Sequence, residues 1–185
     1  GELAGAAAVR CVRGLEPDPR FAAAFADWRP RPGKVVLRTR TGGQWTRALG
    51  EGGVVAGDAV LALPPRRRSE RGPLLEKLQA MSTELAPAPE AAADPAALTY
   101  LLNPAAAMSS GKILAQIAHA AVMASDSGRV EAWVAAGCPA RVLAPGAAAF
   151  ATAARDGACV ARVVDAGLTE VPPGTVTVLA LAPGG

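Results

Sequence analysis

Three polar side chains interrupt an otherwise apolar stretch, Ser109-Ser110-Gly111-Lys112-Ile113-Leu114-Ala115-Gln116-Ile117-Ala118-His119-Ala120-Ala121. Lys112, Gln116 and the chain's only histidine, His119, stand at i, i+4 and i+7, so a helix stacks them in one row on one face. A solvated face would carry more Glu, Arg and Lys. This row reads instead as the floor of a site. Lys112 falls in the first helical turn, where unpaired N–H groups and the macrodipole disfavour a cation. An adjacent carboxylate or phosphate would explain it, and so would a lysine snorkelling to solvent from an ordinary helix start. A phosphate-binding P-loop is excluded. The residue five before Gly111 is Ala106, and Ile113 rather than Ser or Thr follows the lysine.

The elements that must position this row follow from the surrounding pattern. Ile113, Ile117 and Ala121 recur on the apolar side of the same helix. Leu98 to Leu102 reads as a buried strand ended by Asn103-Pro104. Downstream come a short helix around Trp133 (Arg129–Ala136), a strand Arg141–Leu143 and a helix Ala147–Arg155. Two further strands follow, Ala158–Val164 and Thr175–Leu181. The order β-α-α-β-α-β-β predicts an α/β fold, a small mixed four-stranded sheet with helices on both faces. Such sheets bind ligands beyond the carboxyl ends of their strands. That rule brings together the loop after Leu102, the helix start at Lys112, and Asp165 after Val164.

Three motifs in this half are linked. Gly111-Lys112, Gln116 and His119-Ala120 form Gly-Lys-x-x-x-Gln-x-x-His-Ala, and Asp165-Ala166-Gly167-Leu168-Thr169 forms Asp-Ala-Gly-x-Thr. Pro173-Gly174 with Thr177-Val178 forms Pro-Gly-x-x-Thr-Val. Their order and separation make residues 97 to 184 resemble the type-two peptidyl-tRNA hydrolase family. The resemblance implies hydrolysis of the ester between an N-blocked aminoacyl or peptidyl group and tRNA, freeing both for reuse in translation. It implies Lys112, Gln116, Asp165 and Thr169 as site residues and peptidyl-tRNA as partner; neither cofactor nor metal is expected. Asp165 can orient water as a general base, while Lys112 can neutralise it, stabilise an oxyanion or touch a phosphate. His119 is a second choice as base, because a lone histidine on a small-residue helix is more commonly a packed residue bonded to backbone. Ser109 and Ser110 suit helix capping.

Two departures from the family pattern remove positive charge. Met108-Ser109-Ser110 stands where an additional lysine is common, and Leu168 stands where a basic residue is common. They keep open an alternative, a non-catalytic RNA-binding or protein-interaction module with the same fold. Hydrolysis of another aminoacyl or amide substrate is a third reading.

The other half looks like a worn copy. Pro32-Gly33-Lys34-Val35-Val36-Leu37 parallels Pro139 to Leu143, and Val54 to Pro64 parallels Val171 to Pro183 with one gap. Trp28 and Trp133 precede the first of these segments. Expected elements are a helix Glu2–Val12 and a second helix with the core stripe Phe21, Phe25 and Trp28. Strands Lys34–Thr39 and Asp58–Leu63, a turn at Gly42-Gly43, and a helix Leu74–Met81 complete the expectation. Where Asp165 needs a counterpart, the copy offers Ala48 to Gly50, and its first strand would precede Gly1, as in a fragment. The predicted organisation is a degenerate, incomplete α/β repeat over 1–82, a Pro/Ala linker over 83–97, and the catalytic domain over 98–185. The two halves would form an intramolecular pseudo-dimer.

Composition bounds the rest. Aromatics are 4% of 185 residues, so the core must be Ala, Val and Leu. Residues 1–96 hold 14 Lys+Arg against 11 Asp+Glu, and residues 97–185 hold 5 against 5, so the net charge of +3 lies entirely in the first half. RNA affinity rests on neutralised phosphates, which points to Arg66-Arg67-Arg68 and Arg71 as an RNA contact or a solvated turn. No run is long and apolar enough for a membrane span. Cys11, Cys138 and Cys159, with one histidine, lack zinc-site spacing and fit buried thiols in a reducing cytoplasm.

Overall fold

Alternation of side chains across a strand decides which helices cover which face of the main sheet. The computed structural model describes residues 1–33, 36–38, 43–57, 60–79 and 94–184. The C-terminal half contains β4 (Leu98–Leu102), α5 (Ser110–Asp126), α6 (Glu131–Ala135), β5 (Ala140–Leu143), α7 (Ala147–Ala153), β6 (Cys159–Val164) and β7 (Val176–Leu181). Its four strands run β5-β4-β7-β6, with β5 parallel to β4 and the other pairs antiparallel. Leu98 and Tyr100 of β4 point to α5 and α6, meeting Ile117, Ala121 and Trp133. Leu101, on the opposite face, meets Phe150 of α7 and Leu179. Helices therefore lie on both faces of a mixed sheet. Strand β4 is buried on both sides, which explains its unbroken apolar run.

The N-terminal half begins with α1 (Glu2–Leu15) and α2 (Ala22–Trp28). It continues with β1 (Val36–Arg38), α3 (Gly43–Leu49), β2 (Val54–Ala56), β3 (Val60–Ala62) and α4 (Pro73–Gln79). A 3-10 turn, Arg68–Glu70, precedes α4. The three strands form an antiparallel sheet in the order β1-β3-β2. Phe25 is buried with Ala56, Val60 and Ala62 on one face, and Ala48 with Leu61 and Leu75 on the other. The Phe25 stripe is thus core, with Trp28 edge-on to Phe25.

Two expectations need correction. Val54–Ala56 aligns in sequence with the loop Val171–Gly174, yet it is a strand, since pairing with β3 buries Ala56. Gly43 does not belong to a turn but opens α3, which packing of Trp45 and Ala48 on Leu61 sustains despite the low helix propensity of glycine. Gly42 and most of the expected linker lie outside the described residues.

Helix α1 is shared between the halves. Ala4, Ala7, Ala8, Cys11 and Val12 pack on the first sheet, while Ala6 and Val9 enter the core around Tyr100. Alanine and glycine let α1 approach α5 closely. Gly5 shows how closely, because a Cβ there would stand 2.6 Å from the Tyr100 hydroxyl and 3.2 Å from Ala121 Cβ. The Ala-rich composition is therefore a packing solution for two adjacent helices.

Candidate active site

Helix α5 starts where Ser109, in an extended conformation, accepts a hydrogen bond from the Lys112 amide at 3.2 Å. This cap points the first turn at the loop between β6 and β7, residues 165–175. Lys112 Nζ donates to Asp165 Oδ2 at 2.5 Å and to Thr169 Oγ1 at 2.9 Å. Gln116 Nε2 donates to the same Asp165 oxygen at 2.8 Å. The Thr177 hydroxyl donates to Gln116 Oε1 at 2.6 Å, which fixes the amide so that its NH₂ faces the carboxylate. The lysine and aspartate side chains are only 11% and 8% exposed. Lys112, Gln116, Asp165 and Thr169 therefore share one hydrogen-bonded cluster.

The loop is shaped to present Asp165. Its backbone N–H donates to Thr175 O at 2.9 Å, and its carbonyl accepts from Gly174 N at 2.8 Å. The Gly167 N–H donates to Asp165 Oδ1 at 2.8 Å. Gly167 is required twice over: its φ is 76°, and a Cβ would lie 2.4 Å from the Pro173 nitrogen. A second tie binds the loop to the helix. The Ser109 N–H and hydroxyl donate to Glu170 at 2.6 and 2.8 Å. Ser109 thus caps the helix and also anchors the loop that carries Asp165 and Thr169.

Electrostatics follow from these contacts. Burial raises the Asp165 carboxyl, but the Lys112 hydrogen bond and charge, the Gly167 amide and Gln116 outweigh it and hold the group below the usual carboxylate range. Asp165 is an anion with three donors. His119, half-buried on the same helix, is shifted the other way for a base. Burial pushes its pKa down, opposed by the Asp165 charge and reinforced by Lys112. It is a neutral imidazole near the cluster, and it makes no hydrogen bond with any described residue, backbone included.

Two contributors carry no predicted role. Thr177 stands in the Pro-Gly-x-x-Thr-Val motif, and a lone inward threonine on a Val/Leu strand was the available signal. Glu170 gave none, because its partner lies across a loop closure that sequence spacing does not show. The Arg66 and Arg67 side chains are both ion-paired, to Glu51 at 2.5 Å and Asp27 at 2.7 Å. The Arg68 side chain lies outside the described residues.

The spare hydrogen-bonding capacity of the cluster defines its chemistry. An ammonium has three protons, and Asp165 and Thr169 take two of those on Lys112. The Thr169 hydroxyl accepts from Lys112, so its own proton remains to donate. Asp165 Oδ1 holds one donor and retains acceptor capacity. Two donors beside one anionic acceptor can polarise a carbonyl and orient a water. All of these residues lie within one segment, residues 98–185, and that segment matches the family model described as peptidyl-tRNA hydrolase PTH2.

Proposed function

We propose that the C-terminal half hydrolyses the ester between an N-blocked aminoacyl or peptidyl group and tRNA. The observation that carries this reading is the shielded Lys112–Asp165–Gln116 cluster, extended to the surface by Thr169, inside the matched segment. A water held by Asp165 attacks the carbonyl carbon, and charge developing on the carbonyl oxygen is met by the third Lys112 proton and the Thr169 hydroxyl. The bond to the 3′ oxygen breaks, and a proton from the water ends on that ribose oxygen. A strong base should have a pKa near the working pH. Asp165 lies well below it, so its part is to orient water and to hold Lys112 in place. Neutral His119 is the second candidate for taking the proton. The N-terminal half supports tRNA binding through its positive charge, and the reading places the protein in the cytoplasm.

A second reading has its own observation. Leu168 is 86% exposed beside the site, where a basic residue would attract phosphate, and Arg66 and Arg67 are already paired. This favours a non-catalytic protein-interaction module, with Leu168 as an apolar contact. One assay separates the two: the intact chain, in excess, is mixed with an N-acetylated aminoacyl-tRNA, and release of the blocked amino acid is followed. Release that is lost in Asp165→Asn supports hydrolysis. A folded protein that gives no release overturns it in favour of the module.

A further inference from the structure

The two halves repeat one another element by element. After β4, the second half runs α5-α6-β5-α7-β6-β7, and the first runs α1-α2-β1-α3-β2-β3. Removing β4 from the order β5-β4-β7-β6 leaves β5-β7-β6, which is the order β1-β3-β2 of the first sheet. Strand senses agree as well. Strand β5 is parallel to β4 and β4 antiparallel to β7, so β5 opposes β7 as β1 opposes β3. In each half the first two helices cover one face and the third covers the other. A finer detail recurs too. The Trp28 indole N–H donates to Gly33 O at 2.9 Å and that of Trp133 to Pro139 O at 2.7 Å, each just before the first strand that follows.

The contacts between the halves are exchanged in the manner of a two-fold axis. Helix α1 sends Ala6 and Val9 into the core around Tyr100, and α5 sends Ala118 and Val122 into the core around Val60. Arg13 near the end of α1 pairs with Glu131 of α6 at 2.9 Å. Asp126 at the end of α5 pairs with Arg29 at the end of α2 at 2.6 Å. Reciprocal contact of this kind is the signature of an isologous dimer interface.

Besides β4 and α4, the site is not repeated. The connection from β6 to β7 is residues 165–175, whereas that from β2 to β3 is residues 57–59. Where Lys112 in the first turn of α5 meets Asp165, Leu3 in the first turn of α1 packs on Gly57, its Cδ1 2.8 Å from where a Cβ would stand. We propose that residues 1–79 are a catalytically silent second copy of the fold. They fill, within one chain, the place a second identical subunit would occupy across the α1–α5 seam. This inference stands apart from the hydrolase reading, because it uses no site residue.

The intact chain should sediment as a single 18.6 kDa species from low micromolar to sub-millimolar concentration, because the α5 face is already occupied. A concentration-dependent dimer would overturn the proposal. In hydrogen exchange, α1 and α5 amides should open together, as partners of one interface. Early opening of α1 with α5 still protected would also overturn it. The sharper test replaces residues 1–79 with a second copy of 94–185. That tandem should be monomeric and give close to one set of amide resonances for its two copies. A folded tandem with two distinct sets, or one that assembles between chains, would refute the two-fold arrangement. If the tandem does not fold, the mass and exchange data on the natural chain decide.

Discussion

The seam between α1 and α5 can be tested at one point of contact. Tyr100 is fully buried, and its hydroxyl is the one described side-chain polar atom that is buried without a hydrogen-bond partner. A buried polar group left unsatisfied costs about 1–3 kcal/mol. Burial drives the phenol pKa upward, so ionisation offers no relief. Tyr100→Phe removes the hydroxyl and little else, and should stabilise the chain by about 1 kcal/mol. For a chain of this length that raises the melting temperature by about 2–4 °C.

Gly5→Ala probes the same spot from the other helix. It gains about 1 kcal/mol of helix propensity but forces a Cβ to 2.6 Å from the hydroxyl, and overpacking of this kind costs about 1–3 kcal/mol. The single change should therefore be neutral to destabilising. In the Tyr100→Phe background the closest remaining contacts are at 3.2 Å, so most of the overpacking cost should vanish. Urea denaturation of the four proteins gives the coupling, expected at about 1 kcal/mol or more. Additivity within about 0.5 kcal/mol would show that the two groups do not touch. A Tyr100→Phe protein less stable than its parent would show that the hydroxyl has a partner.

Four further outcomes are expected. Asp165→Asn should lower stability by about 3 kcal/mol, the low end for breaking a buried pair because Lys112 keeps Thr169, and should abolish turnover while tRNA binding, measured by filter retention, stays nearly intact. The depressed His119 pKa makes the unfolded chain bind the proton first, so melting temperature should fall as pH drops below 6.5, and His119→Phe should flatten that decline. Glu170→Ala should loosen the 165–175 loop from Ser109 and lower kcat/KM by roughly tenfold or more, as small misplacements of reacting groups do, with little change in far-ultraviolet circular dichroism. Leu168→Lys should strengthen tRNA binding and steepen the slope of log K against log salt by about 0.7–0.9; an unchanged slope would put Leu168 outside the RNA surface.

What the sequence disclosed depended on how local the cause was. Helix α5 and strand β4 were legible because their apolar period and caps, Ser109 and Asn103-Pro104, are written in adjacent residues. The cluster of Lys112, Gln116, Asp165 and Thr169 was legible through linked motifs and through the strand-end rule. Helix α3 was not, because its first residue is a glycine and its stability comes from Leu61 and Leu75, distant in sequence. Strand β2 is three residues long and owes its existence to pairing with β3. Glu170 was hidden for a related reason, since only closure of the 165–175 loop brings it to Ser109. His119 does stand in the row with Lys112 and Gln116, but its expected backbone partner is absent among the described residues.

The position of Lys112 now has a physical account. A lysine in the first turn of a 17-residue helix opposes the macrodipole, and two carboxylates offset that cost. Glu170 accepts the Ser109 N–H and hydroxyl at the helix start, and Asp165 takes the ammonium itself. Two anions against one cation leave the helix start with no positive charge in excess. A phosphate therefore gains little from this spot, so Lys112 is better suited to charge that appears on a neutral carbonyl during reaction than to holding a charged ligand beforehand. That division fits the distribution along the chain, in which residues 97–185 balance five basic against five acidic groups and the excess lies in residues 1–96. The N-terminal half, proposed above as a silent copy, can supply that charge without a built site, because long-range attraction needs only net charge.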